Sequence, residues 1–93
     1  MRKAFVLYEK DHFHSLNSRS LIGVFMSMKK LLKASKEIII KDVMENTEKT
    51  GNDLDAEIEW NIQYMFHETK KQTQGLYNFE LEYEEVECNK ILD

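Results

Sequence analysis

Tyr77-Asn78-Phe79-Glu80-Leu81-Glu82-Tyr83-Glu84-Glu85-Val86 is the stretch whose pattern decides the fold of this chain. Large apolar side chains fall at 77, 79, 81 and 83, with Asn78, Glu80, Glu82 and Glu84 between them. A strict two-residue period belongs to a β-strand with one face on a core and the other in water. Glu85 breaks the phase, and Val86 and Cys88 continue on the opposite parity, as a bulge or strand end would produce. A one-sided strand needs further strands beside it and a layer over its apolar face.

The neighbours come from the N-terminal quarter. Residues 4–10 begin with the unbroken apolar run Ala4-Phe5-Val6-Leu7-Tyr8, rich in aromatic and aliphatic side chains, which suits a strand covered on both faces. Such a strand belongs at the centre of the sheet, with the closing strand beside it. Residues 11–20 are polar, and Asn17, Ser18 and Ser20 favour turns, so they read as a loop or wide hairpin. Leu21-Ile22-Gly23-Val24-Phe25-Met26 is a second short strand, and Gly23 within it signals a bulge or a close backbone approach.

The covering layer comes from the middle. Ser27 is placed to cap a helix, and Met28, Leu31, Leu32, Ile39 and Val43 then recur at helical spacing, with lysines on the other side. The spacing predicts a helix over 28–46. The β-branched triple Ile38-Ile39-Ile40 favours the rival arrangement, a shorter helix followed by a strand over 37–43. Thr50, Gly51 and Asn52 punctuate a loop, and Asn52 or Asp53 can cap a second helix with the stripe Leu54, Ile58, Ile62, Met65 and Phe66. Lys70 and Lys71 read as its last turns and Gly75 as the residue that ends it. The expected fold is α+β: a single domain, 1–93, with a small antiparallel or mixed sheet of about three strands and two helices on one face, in the order β-β-α-α-β.

Composition narrows the setting. With 42% apolar and 32% charged residues the chain is neither disordered nor membrane-like. The lone Cys88 forbids an internal disulfide and fits a reducing compartment. The run after Met1 is shorter than the roughly 7–15 residues of a signal core, and no stretch reaches the about 20 needed to span a bilayer. A cytoplasmic location without membrane contact is the expectation. Net charge is −4, yet it is segregated. Residues 28–41 carry Lys29, Lys30, Lys33, Lys36 and Lys41 against Glu37, whereas residues 78–93 carry six acidic groups against Lys90. A uniformly basic nucleic-acid binder is excluded.

Each feature that bears chemistry has a plain structural counterpart. His12 and His14 form a His-x-His pair behind Asp11, but nothing supplies a second ligand pair, so solvated loop histidines are the expectation and no metal or other cofactor is assigned. Cys88 has Glu85 and Glu87 nearby, which disfavour a thiolate. Glu80, Glu82 and Glu84 share one strand face: a solvated surface, or an acidic one that meets a basic partner. Lys29, Lys33 and Lys36 share a helix face that attracts nucleic acid, a nucleotide or an acidic protein, although a solvated face is the plainer reading and no glycine-rich phosphate loop accompanies them. Trp60 falls about half a turn from its helix's apolar line, so it either wraps over the edge or faces out as a contact residue.

Two segments, Val6-Leu7-Tyr8-Glu9-Lys10-Asp11 and Leu21-Ile22-Gly23-Val24-Phe25-Met26-Ser27, then a lysine-rich helix and Tyr77-Asn78-Phe79-Glu80-Leu81-Glu82, together resemble a pattern in short bacteriophage and mobile-element proteins. The resemblance skips most of 43–75, and its motifs carry no catalytic residues. It implies a small modulator of host machinery. The expectation is a non-catalytic protein acting by protein–protein contact, as a phage-type modulator or inhibitor and a candidate homo-oligomer. The alternative is a small-ligand or nucleotide binder using the lysine-rich first helix at a subunit interface.

Overall fold

A computed structural model of the chain describes residues 3–10 and 20–87. Its elements are β1 (Lys3–Lys10), β2 (Ser20–Phe25), α1 (Met28–Asn46), α2 (Gly51–Met65) and β3 (Glu80–Glu87). This is the α+β order expected, and the sheet is antiparallel throughout with strand order β2-β1-β3. β1 is central because it alone is apolar on both sides. Phe5 and Leu7 join the core under the helices, while Ala4 and Val6, on the opposite face, are also buried. The expected polar connection over 11–19 lies outside the described residues.

The core is one cluster. Leu31, Ile39 and Val43 of α1 and Ile58 and Met65 of α2 close over Phe5, Leu7, Leu81 and Tyr83 of the sheet. Each such side chain, fully withdrawn from water, contributes on the order of 2 kcal/mol. α1 has the bounds its spacing predicts, and the Ser27 Oγ accepts from Lys30 N at 3.2 Å as an N-cap. The isoleucine triple is helical, not a strand. Ile39 sits in the core with Ile38 and Ile40 half-buried on its flanks, so packing on three sides outweighs the β-branched preference.

Both boundaries of α2 and the place of the bulge differ from the sequence pattern. α2 starts at Gly51 with Thr50 at the cap position, because Gly51 at φ +56° turns the chain into the helix before Asn52 or Asp53 is reached. It ends at Met65, well short of Gly75. There the Phe66 ring stacks on Tyr83 at 5.3 Å, and Lys71, at φ +57°, redirects the chain along β3. β3 itself is regular, and the break in phase at Glu85 produces no bulge. Pairing runs unbroken from Lys3↔Glu87 to Lys10↔Glu80, and the Lys3 ammonium holds Glu85 at 3.2 Å at the open end of the core face. The bulge is in β2, beside Gly23: pairing steps from Leu7↔Gly23 to Tyr8↔Leu21 and leaves Ile22 as the extra residue.

Candidate interaction surfaces

Asp42 organises the approach to β3. It lies among the buried positions of α1, only 2% exposed, and its carboxylate accepts from Tyr77 N at 2.7 Å, Asn78 N at 3.2 Å and Asn78 Nδ2 at 3.0 Å. This pins residues 77 and 78 as a turn, so Tyr77 leaves the strand pattern and its ring is 41% exposed. The Tyr77 hydroxyl donates to Glu57 Oε1 at 2.6 Å, and the Lys49 ammonium lies 3.0 Å from Glu57 Oε2. Burial pushes the Glu57 carboxyl up, but the Tyr77 hydroxyl and Lys49 outweigh it and hold it below the usual carboxylate range. The bond to Glu57 in turn raises both Tyr77 and Lys49 above their ordinary values. The Glu57 and Lys49 shifts favour their charged forms, while the Tyr77 shift favours the neutral hydroxyl that donates, so one ion pair and one hydrogen bond fasten the turn to α2.

The glutamates of β3 are engaged within the molecule. Glu80 Oε1 accepts from Thr73 Oγ1 at 2.7 Å and Leu76 N at 3.4 Å, and Oε2 accepts from Gly75 N at 3.1 Å. Lys10 lies 3.6 Å from Glu82, and Tyr8 donates to Glu84 Oε1 at 2.8 Å. The three carboxylates predicted as an acidic surface therefore serve first as turn and cross-strand acceptors. Lys29, Lys33 and Lys36 stand exposed along α1. The 340 Å³ cleft beside α1 is lined by Ile22, Ile38, Lys41, Asp42 and Phe79 among others, and by none of these three lysines. Trp60 is half exposed. One side of its ring stacks on Tyr64 at 5.4 Å, Lys70 Nζ lies 5.5 Å from the Tyr64 centroid, and Gly75 sits beneath its edge. Trp60 thus both wraps an edge and presents a fixed aromatic surface, with an open 450 Å³ depression beside it lined by Lys49, Asp53, Ala56 and Glu57. Among the described residues no three His, Cys, Asp or Glu side chains come together to hold a metal; His12, His14 and Cys88 lie outside them. No helix of the described residues is long and apolar enough to cross a membrane.

The two sheet edges contrast sharply. Beyond β3, residues 71–73 add a short antiparallel stretch: Thr73 N donates to Leu81 O at 2.8 Å, Tyr83 N to Lys71 O at 2.9 Å, and Gln72 bridges Glu82. Beyond β2, no described residue pairs. Yet β2 and the residue after it expose Leu21 (62%), Val24 (53%) and Met26 (52%), and Ile22 is also exposed. Natural edge strands are usually blunted by charge, proline or a bulge; from Ser20 to Met28 this one has no charge and no proline, only the bulge at Ile22. The sequence reading saw β2 as a strand but missed its exposure. Its uncharged length beside a β1 that is apolar on both sides from Ala4 to Tyr8 was the available signal, since only β1 needed to be central. Asp42 was missed too, although an acid placed on the apolar arc of a helix marks a buried partner.

Comparisons with models of protein families, with curated proteins and with solved structures find no match to this chain.

Proposed function

We propose that this chain is a non-catalytic binding protein that acts by protein–protein contact, with β2 as the contacting edge. The observation that carries the reading is an outer strand that pairs with nothing beyond β1 among the described residues, uncharged from Ser20 to Met28, with Leu21, Val24 and Met26 at least half exposed. An edge of this kind binds by adding a strand: main-chain hydrogen bonds supply affinity and alternate side chains supply selectivity. The fixed Trp60–Tyr64 pair on α2 is a second apolar anchor of the kind that concentrates binding energy. The resemblance to short bacteriophage and mobile-element proteins points to a modulator or inhibitor of a host factor as the biological role. The test is quantitative affinity capture from the source cell with wild-type and Val24→Lys baits. The reading expects a defined protein to be retained by the wild type and lost from the variant. Identical recoveries on both baits would refute β2 as the contacting edge.

A further inference from the structure

We infer that the partner on the β2 edge is a second copy of this chain, paired antiparallel about a twofold axis near Val24, so that two three-stranded sheets become one of six strands. The inference rests on the reading of β2 as a contact surface and adds the identity of its occupant.

Charge permits a like copy. The nine residues Ser20 to Met28 carry no ionisable side chain, so an identical strand meets no repulsion and buries no unpaired ion. A strongly acidic or basic partner finds no complement there. An antiparallel edge turned through a twofold axis is also its own hydrogen-bonding complement, and the same patch serves both copies.

Closure at two follows from the other edge. Growth of β2 on the β3 of a neighbour would give an open filament. That route is closed over the first half of β3, where residues 71–73 already bond its outer side at Leu81 and Tyr83. β3 further carries five glutamates in its eight residues, which repel an added strand of the same kind. With β2 the one uncovered uncharged edge among the described residues, association makes a pair and stops.

The bulge at Ile22 sets the strength. It interrupts the regular ladder, leaving a short segment around Gly23, Val24 and Phe25 for pairing. An interface built from so short a ladder falls in the class below about 1,200 Å², where association is transient. The dimer should therefore form on the order of tens of micromolar.

Sedimentation velocity on the full chain, from about 5 to 500 µM, tests this for wild type, Val24→Lys and Leu21→Lys, with far-ultraviolet circular dichroism to verify folding. The wild type is expected to pass from monomer to dimer with no larger species. Val24→Lys brings like charges together at the axis and should weaken the dimer at least about tenfold, whereas Leu21→Lys, three residues from the axis and beyond the bulge, should weaken it less. In a Cys88→Ser background, Val24→Cys should cross-link under mild oxidation at least about tenfold faster than Asp55→Cys on α2, because facing strand positions satisfy disulfide geometry. A wild type that stays monomeric, a dimer indifferent to both lysines, or a series continuing past the dimer overturns the inference. If the wild type is monomeric while Val24→Lys loses a captured heterologous protein, the second copy is wrong and the contact reading stands. If Val24→Lys changes neither, both fail.

Discussion

Replacing Asp42 with alanine removes one carboxylate and three hydrogen bonds that tie α1 to the turn before β3. Bonds to a charged acceptor are worth about 1.5–3 kcal/mol each where water cannot replace them. Tyr77 and Asn78 are themselves exposed, so water recovers part of the loss once the turn loosens. The worked cost is about 2–4 kcal/mol, against about 5–14 kcal/mol for a domain of this length. Urea unfolding followed by circular dichroism should show the midpoint falling with an unchanged slope, and thermal melting should fall by about 10–25 °C. Asp42→Asn keeps one acceptor oxygen and should lie between alanine and wild type. A loss below about 1 kcal/mol for Asp42→Ala would mean that packing alone holds the turn, and the reasoning would be wrong.

Two further perturbations probe the same end of the molecule. Glu57 is held below the usual carboxylate range when folded, so its stabilising effect is complete above the unfolded value and is lost as pH falls through the folded one. Glu57→Gln should lower stability at neutral pH and flatten the fall on acidification below about pH 4.5, measured as urea midpoints across that range; an acid limb as steep as wild type would exclude this linkage. Gly75 sits at φ +115°, and an added Cβ would lie 3.0 Å from Trp60 Cζ3. Gly75→Ala should cost about 1–3 kcal/mol and shift the emission of Trp60, the single tryptophan, whereas unchanged fluorescence would contradict the placement of the indole over this turn.

Much of the fold was legible because local and global signals agree. The doubly apolar β1 had one place to go, and Ser27 with a clean helical stripe fixed α1. Legibility failed where long-range contacts override local pattern. Lys70, Lys71 and Gly75 look like the end of a helix, yet pairing of 71–73 with β3 ends it sooner. Tyr77 extends the alternation of Phe79, Leu81 and Tyr83, yet Asp42, 35 residues earlier, draws it into a turn. The same limit applies to the candidate surfaces. Spacing placed Glu80, Glu82 and Glu84 on one face, but their acceptor roles depend on Thr73, Lys10 and Tyr8 from other segments. Exposure of β2 follows from the strand order that the doubly apolar β1 implied, but no local pattern within β2 marks it.

The central claim is that the outer edge of β2 is where this protein makes contact. Amide hydrogen exchange, resolved by residue and followed against protein concentration, tests it most directly. The amides of β2 that point away from β1 should exchange fast when dilute and gain protection as concentration rises, while those of Leu81 and Tyr83, already bonded to residues 73 and 71, stay constant. Protection of β2 that is the same at every concentration, with capture unaffected by Val24→Lys, would contradict the account.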